Sequence, residues 1–143
     1  MEGSPASTCS NPSQTTQTAY QDWSNGETRP FTFRYIRSSN QAQFVNQNGN
    51  AVSYSPSNRG PYNDLFIRIR GASNETMTIS NLTLNGTALS ESLSISNGIR
   101  VLRITNVPFA SGFVLQGSAR MTWTGIKPSS NNQYVELRVG QVT

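Results

Sequence analysis

Seven carboxylates, ten arginines, one lysine and one cysteine carry nearly all the reactive chemistry of this 143-residue chain, and histidine is absent. Without histidine the commonest general base, the usual metal ligand and every His-dependent triad are missing. A single cysteine, Cys9, can form neither an internal disulfide nor a zinc cluster. The acids are Glu2, Asp22, Glu27, Asp64, Glu75, Glu91 and Glu136, and no two are closer than five residues. That spacing contains no acidic calcium loop. Two of them could still meet in space, as glycoside hydrolysis requires. The sequence therefore predicts a protein with no cofactor, no metal and no enzymatic activity.

The net charge of +4 and a pI near 9.7 raise the question of nucleic acid. The basic residues are dispersed, however, whereas phosphate binders concentrate theirs in a patch or stripe. Arg68 and Arg70 alternate along a predicted strand and read as a solvated face that discourages sheet-to-sheet adhesion. No nucleic-acid partner is expected. Nor is membrane insertion, because no apolar run approaches the roughly 20 residues of a spanning helix.

Four aromatic residues keep the company that sugar sites favour. Trp23, Tyr54, Tyr62 and Tyr134 are flanked by Asn, Ser and Gln, so a ring could stack on a sugar face while amides bond its hydroxyls. Trp123, between Thr122 and Thr124, reads instead as a core aromatic. Asn74, Asn81 and Asn85 head N-glycosylation triplets, a pattern that chance produces readily in a chain so rich in Asn and Thr.

Positioning these groups falls to short strands. Charged residues are only 13% of the chain, while 20 Ser, 15 Asn, 14 Thr and 9 Gln supply a neutral, hydrogen-bonding surface. Residues 1–19 form a polar extension whose composition is that of a disordered tail or linker, with no apolar core of a secretion signal. From residue 20 to 143 the pattern is strand and turn. Phe31, Phe33 and Tyr35 alternate with polar neighbours, as do Leu65, Ile67 and Ile69, then Ala119, Met121 and Trp123, then Val135, Leu137 and Val139. Asn48-Gly49 and Asn85-Gly86 are hairpin signals, and Asn97-Gly98 reads as the end of a strand. A phase change is expected around Ser80-Asn81. No segment keeps a helical period over ten residues. The prediction is an all-β fold: an antiparallel β-sandwich or jelly roll of 8–10 strands. Its core is expected to hold Ile67, Ile69, Leu82, Leu84, Leu102, Ile104, Leu115, Trp123, Leu137 and Val139.

Three stretches carry a family resemblance: Tyr62-Asn-Asp-Leu-Phe-Ile-Arg-Ile-Arg-Gly71, Ile79-Ser-Asn-Leu-Thr-Leu-Asn-Gly86, and Ser111 through Gly125. Together they resemble the secreted β-sandwich domains of bacteria, notably cyanobacteria, that are described as choice-of-anchor domains. The likeness spans roughly Trp23 to Gly140. It implies a β-sandwich, an extracellular or cell-surface location and a C-terminal sorting signal downstream. It brings no catalytic residues.

Two functional expectations follow. The first is a secreted structural subunit that self-assembles head to tail. Its N-terminal segment, through Ser7, Cys9, Gln14, Thr16, Thr18 and Tyr20, would add a strand to the sandwich of a second copy, with Cys9 able to lock the joint. The alternative is a carbohydrate-binding or adhesion module of the extracellular matrix, with glycans as partners and Trp23, Tyr54, Tyr62 and Tyr134 as the contacts.

Overall fold

A computed structural model describes residues 23–47, 49, 51–55, 62–128 and 134–140. They form eight strands and, among the described residues, no helix: β1 (Thr28–Ile36), β2 (Gln41–Val45), β3 (Ala51–Tyr54), β4 (Asp64–Leu84), β5 (Thr87–Ala88), β6 (Leu93–Ile104), β7 (Phe113–Trp123) and β8 (Tyr134–Gly140). All pairings are antiparallel, and the main path runs β3-β2-β1-β7-β4-β5. The all-β prediction and its strand count hold.

β4 organises the molecule. On one side it pairs with β6 from Leu65 to Ile79, and past that with β5 at Thr83 and Leu84. On the other side its first half pairs with β8, Arg70 opposite Tyr134, and its second half with β7, Glu75 opposite Trp123. A straight strand of 21 residues would span about 70 Å. Instead its two ends meet. Val107 N–H donates to the Asn63 carbonyl at 2.9 Å, and Phe109 touches both Tyr62 (ring centroids 5.8 Å apart) and Phe113 (4.8 Å). Phe113 lies two residues before Leu115, the register partner of Leu84 at the end of β4.

The sheet is therefore folded over a corner at residues 72–75. There the β4–β6 register jumps from Gly71↔Gly98 to Thr76↔Ser96, so five steps on β4 match two on β6. β6 turns the same corner at Asn97 (φ 54°) and Gly98 (φ 151°), backbone angles that favour Asn and Gly. Asn97-Gly98 is thus a bend within a strand rather than the strand end expected from sequence. Both faces of the corner are hydrogen-bonded on either side, so the chain has no cause to leave the sheet. Asn74 pins the corner by donating to the carbonyls of Thr124 (2.8 Å) and Ile126 (3.0 Å).

The result is two layers around one core, open rather than closed into a barrel. The six-stranded layer is β3-β2-β1-β7-β4(second half)-β6(first half). The three-stranded layer is β8-β4(first half)-β6(second half). Leu65, Ile67, Ile69, Met77, Ile79 and Leu82 on β4 are buried between them, facing Phe31, Phe33, Tyr35, Leu115, Ala119 and Met121. The shift of phase expected near Ser80-Asn81 is a bulge, with Asn81 at φ 53° and the β7 register moving between Ser80 and Thr83. Past it, Leu82 returns to the core. Gly117 leaves room for the side chains of the strands beside it in the wide layer, since a Cβ there would lie 2.8 Å from both Leu82 Cδ2 and Phe31 Cζ.

Of the expected core, Ile67, Ile69, Leu82, Ile104 and Leu115 are buried. Leu84, Leu102, Trp123 and Leu137 pack against it half-buried. The side chain of Val139 lies outside the described residues. The aromatic row of β1 and the pair Phe109 and Phe113 join the aliphatic residues in the same core.

Candidate functional site

Of the four sugar-site aromatics, Trp23 and Tyr62 have described side chains, and these two lie at opposite ends of the molecule. Trp23 sits at the corner end, where its indole Nε1–H donates to the Glu27 carbonyl at 2.9 Å and the Arg29 guanidinium covers the ring at 4.8 Å. Glu27 holds that guanidinium through an ion pair of 2.9 Å and also accepts the Ser24 N–H at 3.0 Å. The two bonds, Arg29 first, draw its carboxyl below the ordinary glutamate value. Tyr62 sits at the opposite end, edge-on to Phe109. The length of β7, about 33 Å, separates the two ends. Tyr54 and Tyr134 belong to β3 and β8, and their side chains lie outside the described residues. Trp123 is at the corner with Trp23; the Asn25 side chain clasps its backbone, donating to its carbonyl at 2.8 Å and accepting its N–H at 2.9 Å. The Lys127 ammonium lies 5.8 Å from the Trp123 ring centroid.

Asp64 and Glu75 lie far apart. Asp64 is buried at the open end, where Arg103 binds its Oδ2 at 2.7 and 2.9 Å. Glu75 is buried in the corner. The chain between Asp64 and Gly71 alone covers about 23 Å, far beyond the separation that a glycosidase pair requires. Among the described residues no group of three or more His, Cys, Asp or Glu side chains could hold a metal. Three further arginines are engaged within the molecule: Arg34 with Gln43, Arg100 with the Ser94 carbonyl, Arg120 with the Gly26 carbonyl. Arg70 is exposed, but Arg68 is buried, contrary to the solvated face read from its alternation with Arg70. Arg68 is flanked by β6 and β8 in the middle of the narrow layer, and its neighbours Asp64 and Phe66 on the same face are buried as well.

Among the described residues β6 and β8 each pair only with β4, and β3 only with β2, so no described strand occupies the outer edges of these three. An unpaired edge is a template for another strand. On the outer face of the wide layer, Thr76 and Ser96 hydroxyls bond at 2.6 Å and Thr78 and Ser94 at 3.2 Å, so this surface satisfies itself. Exposed large apolar side chains are spread over separate elements: Ile99 on β6, Val114 on β7 and Ile126 after it. No described helix is long and apolar enough to cross a membrane.

The proposed subunit contacts Ser7, Cys9, Gln14, Thr16, Thr18 and Tyr20 lie outside the described residues. The acceptor side was not legible in the sequence. Free edges follow from which strands pair, and pairing is long-range. No family model matches the chain, and neither does any curated protein or solved structure.

Proposed function

We propose that the protein is an extracellular structural subunit that assembles head to tail by N-terminal strand addition. The observation that carries this reading is the inequality of the two layers. Among the described residues three strands face six, and β8, the last of the narrow layer, has no described neighbour beyond it. Main-chain pairing suits a segment with few large apolar groups, because the hold comes from N–H and C=O groups rather than buried side chains. The contact is heterologous, so repetition yields a ring or an open filament. The neutral, hydroxyl- and amide-rich surface and the likeness to choice-of-anchor domains support a place outside the cell.

The test compares the full chain with one lacking residues 1–19, using analytical ultracentrifugation and electron microscopy at high concentration. Large assemblies of the full chain and monomers of the truncated one are expected. If both are monomers, strand donation fails. Recovery of the native protein in the cytosolic fraction would overturn the location.

A further inference from the structure

The corner gathers side chains that the linear sequence scatters. It crosses neighbouring strands as a ridge: Asn97-Gly98 on β6, residues 72–75 on β4 and residues 124–126 after β7. Asn74 ties the last of these to β4 through the Thr124 and Ile126 carbonyls, and the Thr124 N–H donates back to the Asn74 carbonyl at 3.0 Å. Residues 23–26 flank the ridge, with Asn25 clasped to Trp123.

Ile99 and Ile126 stand on this ridge, 47% and 88% exposed, although they belong to separate elements. The other exposed large apolar side chain among the described residues, Val114, lies at the far end of β7 opposite Arg34. A single exposed isoleucine is ordinary. Two at one end, one of them on backbone fixed by Asn74, form a pattern.

Charge divides the same way. Arg70, opposite Ile99, is exposed, and so is Arg100, which reaches across the bend to the Ser94 carbonyl at 3.2 Å. Lys127 and Arg120 are exposed on the β7 side. The described acids at this end are Glu27, paired with Arg29, and the buried Glu75. Asp64 is at the open end, and Glu91 precedes β6, whose first residue pairs with Ile79, about 13 Å along β4 from Glu75.

An anionic partner with an apolar layer fits this ridge better than a sugar does. Trp23 and Trp123, the two tryptophans of the chain, are both here, but each packs against the core with a cation at its ring, Arg29 at 4.8 Å and Lys127 at 5.8 Å. Such a ring offers no open face for a sugar to stack on. The side chains that project are aliphatic.

We infer that the corner ridge docks on an anionic lipid surface. Ile126 and Ile99 enter the boundary between headgroups and acyl chains, the tryptophans lie at headgroup depth, and the four exposed cations meet the phosphates. The contact is peripheral and crosses no bilayer. It uses a surface separate from the strand addition proposed above and does not depend on it.

With both tryptophans on the ridge, the unaltered full chain is its own probe. It is mixed with vesicles of phosphatidylcholine and phosphatidylglycerol whose acyl chains are brominated near the headgroup. Tryptophan emission should be quenched, and binding should be at least about tenfold tighter than to phosphatidylcholine alone and weaken as salt rises. Unquenched emission, or equal binding to both vesicles, overturns the inference. Ile126→Ser should keep the wild-type Tm, since the side chain is so exposed, and weaken vesicle binding about tenfold. Val114→Ser, at the other end, should bind as the parent does. Equal affinity of the Ile126 variant, or an equal loss in the Val114 variant, overturns the position. Release from vesicles by glycerol phosphate at matching phosphate concentration would mean a small-anion site and overturn the lipid surface. So would tighter binding to alginate, an acidic polysaccharide, that Ile126→Ser leaves unchanged.

Discussion

Replacing Glu75 by Gln should stabilise this protein above neutral pH and leave it unchanged in acid. Glu75 is 2% exposed, at the point where β4 turns from one layer into the other. Its Oε2 accepts one long bond, 3.4 Å, from the Ala72 N–H, and its Oε1 has no partner. Burial pushes its carboxyl above the ordinary glutamate value, and the Ala72 N–H pulls it partly back. A raised value means that the folded chain binds this proton more tightly than the unfolded chain does. The stabilisation is complete below the unfolded value and is lost as pH rises through the folded one.

A buried, unsatisfied polar group costs about 1–3 kcal/mol, and more when charged. Gln keeps the shape and the acceptor for Ala72 but carries no charge. Its amide N–H₂ remains unpaired, so only part of the penalty is recovered, about 1–2 kcal/mol. For a domain of this size that corresponds to a rise in Tm of about 3–10 °C. The measurement is calorimetric unfolding of both proteins from about pH 4 to about pH 8. The absence of histidine leaves that window free of other side chains with ordinary values in its middle. The difference between variant and wild type should grow with pH and vanish at the acid end. An equal gain at both ends, or a loss at pH 8, would show that charge burial at the corner is not the cost.

Arg103→Ala removes the partner of the buried Asp64 carboxylate and should cost about 2–3 kcal/mol in denaturant unfolding, whereas exposed Gln116→Ala should stay within about 0.5. Gly117→Ala drives a methyl to 2.8 Å from Leu82 and Phe31 and should cost about 1–3 kcal/mol; an unchanged unfolding midpoint would mean that these two side chains yield without penalty. Glu27, held ionised by Arg29 and the Ser24 N–H, should titrate below the ordinary value of 4.5 by carboxyl NMR. Its contribution is present above the unfolded value and lost as pH falls through the lowered one. A midpoint at or above 4.5 would break the account of the Trp23–Arg29 hook.

The fold class was legible because alternation in Phe31-Thr-Phe-Arg-Tyr35 and Leu65-Phe-Ile-Arg-Ile69 states which face is buried, whatever the partner strand. The Asn85-Gly86 hairpin was legible for the same local reason, and both residues take the positive φ (50° and 81°) that such a turn demands. Arg68 and Phe66 were misread or passed over because alternation assigns them to the outer face without saying whether that face is covered. In the narrow layer it is covered. For the site, sugar-type neighbours around Trp23 and Tyr62 are local composition, whereas the separation of these two by the length of β7 is a property of pairing.

Asn97-Gly98 shows the limit most clearly. In isolation the dipeptide has the backbone freedom that ends a strand, and a rule based on nearest neighbours stops there. In the molecule, β4 bends beside it at residues 72–75, and the two bends are useful only together. β4 carries no comparable signal. Gly71 is packed within 3.0 Å of the Ile95 carbonyl and 3.2 Å of the Glu75 carbonyl from its would-be Cβ, so its role is close approach at the corner rather than a turn. A corner is thus a cooperative property of adjacent strands, one with a turn signal and one without.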